Sequence, residues 1–503
     1  MKINQRKAGV IISYMSEGVQ ILSNLLYTPI MLRLLGQSEY GLYQLVYSVV
    51  SYLGLLSLSF GTSYFRVYSR YKKEEDYDNI SRLNGMFLIV FSVVSVICLL
   101  CGIVMIQNVN ALFGNGLTTK EIPKAKILMA FMVVNLVITF MTAVFNCITS
   151  AHEQFFFQKI LILCQNILSP FVTLPLLILG YGSVSIVFVT TVLTFSRLVV
   201  NIWFCMKKIN AKFVFKGIKF GLLKETYTFT FFIFLNQIID QINWGIDKVL
   251  LGRFAGTVAV AVYGLGSQLN SMYMQFSTAV SNVFIPRVNM IVAESDDNSE
   301  LTKLFIKVGR IQLIILTLIL SGIVFFGRPF IYYWGGPEYS GSYRVALCLL
   351  IPVTIPLVQN LGIEIQRAKN MHRTRSIVYF CISIGNVLLS IPLIKIYGIT
   401  GAAVGTAVAL VIGNVLFMNW YYHKKIGLDI FSFWKSISGF IPALVPCVAI
   451  GTLMAIFVSY NSLLKLITGI IIYTIIYCVS MWLFGMNKEE KGMILSMLRK
   501  VRR

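Results

Sequence analysis

Windows of about 20 consecutive, mostly apolar residues recur from one end of this chain to the other, and no other feature constrains its fold as tightly. A helix needs roughly 20 residues to cross about 30 Å of hydrocarbon, and a backbone in lipid must satisfy its own hydrogen bonds. Such windows fall near 9–32, 41–65, 83–107, 125–150, 158–179, 183–205, 227–251, 260–286, 308–328, 343–364, 377–396, 400–420, 438–459 and 462–484. They predict an all-α integral membrane protein of about 14 transmembrane helices. The composition agrees, with 57% of the 503 residues hydrophobic, 13% charged and a mean hydropathy of +0.77. The longest gaps, 66–82, 206–226 and 287–307, read as loops too short to bury a core of their own. The first window follows a basic start (Lys2, Arg6, Lys7), as a signal peptide would. Its length, Glu17 within it and the spans that follow mark it instead as a first membrane helix.

Charge sets the expected orientation. Lys and Arg gather in alternate connections: the N-terminus, Arg66 to Arg82, Lys207 to Lys224, Arg287 to Arg310, Arg367 to Arg375, Lys424 to Lys435, and Lys488 to Arg503. The intervening connections hold scattered cases such as Lys120, Lys124, Arg328 and Lys465. A bias of roughly three to one places both termini in the cytoplasm, in a bacterial inner membrane, and requires an even number of spans. The net charge of +23 is spread over helix ends rather than gathered on one face, which argues against nucleic-acid binding and for contact with membrane lipids. The nine Cys lie in or beside apolar windows and the three His (His152, His372, His423) in separate connections, so neither a disulfide framework nor a metal site is expected. Cys98 and Cys101 form a CxxC inside an apolar helix, a poor setting for redox chemistry.

The chain also repeats itself. YGLYQL from Tyr40 returns as YGLGSQL from Tyr263, and Arg66 returns as Arg287. Ala151 with Ile160 matches Ala368 with Ile377, and PLLILGYG (Pro175 to Gly182) matches PLIKIYG (Pro392 to Gly398). The offsets lie between 216 and 223 residues. Two six-helix lobes account for them, residues 1–205 and 227–420, joined by a basic cytoplasmic linker, 206–226. Two additional helices and a basic tail fill 421–503. An even number of spans per half makes the repeat parallel, an arrangement used by transporters whose halves rock around a shared site.

The segments LGQSEYGLYQL (Leu35 to Leu45), DKVLLGRFAGTVAVAVYGLGSQL (Asp247 to Leu269) and YGITGAAVGTAVA (Tyr397 to Ala409) resemble the polysaccharide-transport family, the O-antigen and capsule-repeat flippases. That family sits in the superfamily that also holds multidrug exporters and lipid II flippases. The resemblance implies a V-shaped pair of lobes around a central cavity. It also implies alternating access on an undecaprenyl-diphosphate-linked oligosaccharide, in company with a polysaccharide polymerase and glycosyltransferases.

An ionised side chain at the bilayer centre costs about 2.5–3.5 kcal/mol on insertion scales, so charged residues inside the windows mark candidate sites. On helix seven, Asn236, Asp240, Asn243 and Asp247 share one face, as do Glu17, Gln20, Asn24 and Thr28 on helix one. Both stripes are expected to face the cavity. A pyrophosphate linker needs cations, and Arg66, Arg197, Lys248, Arg253 and Arg287 are the candidates, with Asn24 and Asn243 as polar contacts. Arg66, Arg253 and Arg287 read equally well as anchors at helix ends. Glu17, Asp240 and Asp247 are candidates for proton or sodium coupling, or for plain interhelical ion pairs. Pro352 and Pro356, like Pro170 and Pro175, would bend their helices. No cofactor is expected. A cation-coupled multidrug exporter is the rival within the superfamily, though its cavity should be net acidic. A membrane enzyme of polysaccharide assembly is the rival outside it, but the one acidic pair in a long gap, Asp296 and Asp297, has no fold around it to hold a nucleotide sugar. A transporter rather than an enzyme follows.

Overall fold

The computed structural model describes residues 5–57, 60–217, 221–294, 297–369 and 371–501. Lys2, Asp296 and Arg503, and the side chains of Arg6, Lys7, Lys224, Asn236 and His372, lie outside the described residues. The chain forms two compact units, Met1–Ala261 and Val262–Arg503.

The first unit holds α1 (Gln5–Leu35), α2 (Gln37–Gly54), α3 (Phe60–Lys73), α4 (Tyr77–Gln107), the short α5 (Val109–Phe113), α6 (Glu121–Ala151), α7 (Phe155–Ile178), α8 (Gly182–Lys207) and α9 (Gly221–Phe254). It ends within the first turns of α10 (Gly256–Glu294). The second unit continues α10 and adds α11 (Asn298–Trp334), α12 (Ser342–Val358), α13 (Leu361–Ala368), α14 (His372–Tyr397), α15 (Ile399–Leu410) and α16 (Met418–Tyr421). It closes with α17 (Ile430–Ser438), α18 (Ile441–Phe457), α19 (Leu463–Ser480) and α20 (Lys488–Val501). The stretches Val411–Phe417, Tyr422–Ile426 and Met481–Gly485 widen into π-helix.

Among the described residues, nine helices are long and apolar enough to cross a membrane, and up to eleven spans result if each of two bent pairs counts as one. Those pairs are α12 with α13, bent by 46°, and α17 with α18, bent by 45°. The first break falls at Gln359–Asn360, just past Pro352 and Pro356, where missing backbone donors weaken the helix. The remaining expected windows lie on α2, α9 and α10, and α2 and α9 carry polar residues that face each other. In the first unit α6 packs on α4 and α8, and α8 on α7. In the second, α12 packs on α11 and α15, and α15 on α14. The same order of neighbours in both is what a parallel duplication produces.

Several expected boundaries shift. The window 41–65 is broken by a 3₁₀ turn, Leu55–Ser57, and the expected loop 66–82 is largely helix. Tyr64, Val67, Tyr68 and Tyr71 recur at i, i+3, i+4 and i+7, so α3 buries one face while Arg66, Arg70, Lys72 and Lys73 stay exposed. Tyr64 and Tyr68 join Phe87, Phe91, Phe140 and Ile148 in a core shared by α3, α4 and α6. The expected loop 287–307 is also mostly helix, α10 running to Glu294 and α11 starting at Asn298. Apolar periodicity marks where hydrocarbon ends, and a helix whose later residues still favour it runs on into the headgroups. Asp297 caps α11, accepting from Ser299 N at 2.9 Å and from Ser299 Oγ at 2.5 Å. Those two hydrogen bonds hold its carboxyl below the usual carboxylate range.

Candidate functional site

The polar seam of the first unit runs between α2 and α9. These helices lie close because Gly252 has no side chain: a Cβ there would collide with Leu45. Asp247 is 1% exposed. Lys248, half-buried, donates from Nζ to Gln44 Oε1 at 3.1 Å, and Gln44 Nε2 donates to Tyr40 Oη at 2.8 Å. Further along, Gln241 Nε2 donates to Ser51 Oγ at 2.6 Å, and Tyr52 Oη to Gln241 O at 3.4 Å. An acceptor on α2 and a neighbouring carboxylate together offset the cost of holding an ammonium inside the bundle.

The stripe predicted on α9 therefore grades from exposed Asp240 through half-buried Asn243 to buried Asp247. On α1, Glu17 and Gln20 are exposed, Asn24 is half-buried and Thr28 is buried. A second polar group joins α6, α7 and α8. Arg197 donates to Gln165 Oε1 at 3.5 Å, Gln165 Nε2 to Thr194 Oγ1 at 3.5 Å, and Asn135 Nδ2 to the same hydroxyl at 3.1 Å. Arg197 Nε is buried with no hydrogen-bond partner among the described residues, so this guanidinium keeps a donor in reserve. Arg66 is exposed on α3, and Arg253 is exposed at the end of α9 beside Gly114. In the second unit, Arg287 pairs with Glu300 at the surface. The structure thus brings Asp247 and Lys248 together with α2, places Arg197 in a separate cluster, and leaves Arg66 and Arg253 at helix ends.

Three sets of residues escaped the sequence reading. Gln44, Ser51 and Gln241 complete the seam, and Gln44 stands inside the YGLYQL repeat, where an amide in an apolar helix was the available signal. At one end of the first unit, Glu39 accepts from Lys124 Nζ at 2.7 Å, Ser183 N at 2.6 Å and Ser183 Oγ at 2.9 Å. Burial pushes the Glu39 carboxyl up, but these hydrogen bonds outweigh it and leave the group below its ordinary value. Beside it, Glu121 accepts from Ser38 Oγ at 2.6 Å and Thr257 Oγ1 at 2.8 Å. Ser38 and Glu39 of the LGQSEYG segment thereby fasten the start of α2 to α6, α8 and the first turn of α10.

The third set lies in the second unit. Arg310 of α11 reaches Glu490 of α20 through Nε (2.6 Å) and Nη2 (3.0 Å), with both side chains under a tenth exposed. Its remaining donors go to Ser436 O at 2.7 Å, Ser436 Oγ at 3.4 Å and Gly485 O at 3.0 Å, and Phe440 lies 4.2 Å from the guanidinium carbon. Asn487 and Glu490 cap α20 reciprocally, each side chain accepting from the other's backbone N–H at 2.9 Å. Among the described residues, no three His, Cys, Asp or Glu side chains come together as a metal ion would need.

The model of a family described as polysaccharide biosynthesis protein matches residues 7–292. The uncharacterized membrane protein EpsK of Bacillus subtilis (strain 168) is 24% identical over 307 residues, 60% of each chain. The probable flippase AglR of Haloferax volcanii is 24% identical over 179 residues, 35% of this chain and 37% of that one. The matched stretches thus span less than two thirds of either relative. The lipid II flippase MurJ in an inward closed conformation superposes with a TM-score of 0.73 and 16% identity, over 94% of this chain and 97% of that one. An inward-facing multidrug resistance MATE transporter of the MOP superfamily gives 0.61 and 13%, over 85% and 99%. At such identities these likenesses show the fold, an all-α multi-pass membrane fold. With more than half of its length matched, the chain belongs to the polysaccharide biosynthesis protein family.

Proposed function

We propose that this protein is a flippase carrying undecaprenyl-diphosphate-linked oligosaccharide repeat units from the cytoplasmic to the outer leaflet of a bacterial cell membrane by alternating access. Both termini are then cytoplasmic, as the charge bias requires. The observation that carries the reading is the MurJ-like fold over 94% of a chain that belongs to a polysaccharide biosynthesis family. The α2–α9 seam supports it, because Lys248 supplies a cation inside an apolar bundle, where a lipid-borne pyrophosphate would need one. Arg197, with its reserve donor, is the second candidate. Arg66, Arg253 and Arg287 are the candidates at helix ends, and Asn24 and Asn243 are the polar contacts for the head group. Glu17, Asp240 and Asp247 are the coupling candidates, loading and releasing a proton or sodium ion.

The multidrug exporter is the second reading, favoured by the superposition on MATE transporters. A lining that mixes Lys248 with carboxylates weighs toward an anionic cargo instead. The proteins it resembles are named as flippases and transporters, which weighs against a membrane enzyme. Depleting the protein in its own cell tests the reading: lipid-linked repeats should accumulate on the cytoplasmic leaflet. Unchanged surface polysaccharide together with new sensitivity to cationic drugs would transfer the assignment to the exporter.

A further inference from the structure

The basic linker between the repeats was expected to be a plain loop, yet its described part is docked. After α8 ends at Lys207, Asn210 takes a left-handed φ of 54° and the chain continues extended along α4. Ala211 N donates to Cys205 O at 3.0 Å, Val214 N to Ser81 O at 3.0 Å, and Asn84 Nδ2 to Lys212 O at 3.1 Å. Asn84 is itself fixed, accepting from Tyr64 Oη at 2.7 Å. A Cβ at Gly85 would strike the Val214 carbonyl, so glycine is what lets the strand lie this close. Ile209, Ala211 and Phe213 alternate inward onto the core of α3, α4 and α6, with the Phe213 ring 6.1 Å from Phe145.

The outer edge has a different chemistry. Lys207, Lys208, Lys212 and Lys216 are exposed, and none forms an ion pair among the described residues. The sequence holds no carboxylate between Glu153 and Glu225, and among the described residues no ion pair joins these lysines to Glu74, Glu75, Asp76 or Asp78 around the start of α4. Among the lysines stand Val214, 37% exposed, and Phe215, 56% exposed. The strand leaves the end of α8, a candidate membrane span, and so sits where a spanning helix emerges from hydrocarbon. Lysines there reach lipid phosphates while an aromatic ring enters the boundary beneath them.

We infer that residues 207–216 form a strap whose inner edge is stapled to α4 and whose outer edge binds anionic lipid headgroups, with Phe215 seated in the membrane interface. The reading rests on the chain's being membrane-embedded and is independent of its cargo. The test uses the full chain carrying F215W in nanodiscs that contain brominated phosphatidylcholine or brominated phosphatidylglycerol, with the unsubstituted chain as background. The strap predicts that the added indole is quenched in both and several-fold more strongly by phosphatidylglycerol. In F215W/K212Q/K216Q the several-fold preference for phosphatidylglycerol should be lost, which makes the two lipids nearly equal. Both substitutions lie on the exposed edge and leave the contacts to Ser81, Asn84 and Gly85 in place. An indole unquenched by either lipid, or quenched equally by both while the lysines are intact, would overturn the inference.

Discussion

Arg310→Met should loosen α20 from α11. The substitution leaves the Glu490 carboxylate buried without its partner, and breaking a buried pair from one side costs roughly 3–5 kcal/mol. Glu490→Leu strands the guanidinium instead and should cost about as much, so two independent effects would sum to roughly 6–10 kcal/mol. The double variant strands neither charge. It loses the reciprocal cap with Asn487, about 1 kcal/mol, and the donors to Ser436 O and Gly485 O, about 1–3 kcal/mol, for a total of roughly 2–4 kcal/mol. Hydrogen exchange of α20 in detergent or nanodiscs reads the difference through openings confined to that helix. Each single variant should accelerate exchange there by more than about a hundredfold, and the double variant should recover much of the protection. Singles that change exchange only a few-fold, or a double as costly as the sum of the singles, would refute the account of this pair.

The same reasoning yields four further outcomes. Lys248→Gln keeps a donor for Gln44 but removes the charge, and should slow translocation about ten- to a hundredfold in reconstituted vesicles with little change in melting temperature. Asp240→Asn should abolish proton or sodium dependence if Asp240 is the coupling group; an unchanged dependence in proteoliposomes would remove it from that role. Gly182→Ala combines a φ of 60° with a Cβ pressed into the Glu39 carboxylate and should cost about 1–3 kcal/mol, whereas Gly180→Ala, with open space around it, should cost less in the same thermal melt. Because the folded Glu39 carboxyl lies below its ordinary value, its contribution is complete above the usual carboxylate range and disappears as pH falls through the depressed value. Acidification should therefore lower the melting temperature of the unsubstituted chain more than that of Glu39→Gln, in which this site no longer titrates.

The spanning segments and the duplication were legible because both are written along the chain. Apolar windows report hydrocarbon thickness, and Tyr40 and Tyr263 repeat with their neighbours. The ends of helices were harder. Nothing in the apolar pattern distinguishes a loop at 66–82 from the half-buried α3, whose inward face is made of Tyr and Val and whose outward face is Arg and Lys. The candidate site was legible by type and only in part by partner. Asp247 and Lys248 stood out as charges in an apolar window, but their setting depends on Gln44, some 200 residues earlier, where an amide gives little signal. Arg310 read as one more cation marking a membrane boundary. Its burial is decided by Glu490, in a tail that Lys488, Lys491 and the residues after them mark only as basic. Glu39 and Glu121 were passed over for the same reason, since a carboxylate near a helix end is ordinary until the hydroxyls and the ammonium that meet it are known.

The most direct test of the central claim is translocation by the purified protein. Vesicles reconstituted with the chain and loaded on one leaflet with a fluorescent undecaprenyl-diphosphate-linked oligosaccharide should present it on the opposite leaflet faster than protein-free vesicles do, and Lys248→Gln should slow the transfer. Vesicles that leave this lipid on its starting leaflet while moving a small amphipathic cation across would contradict the claim.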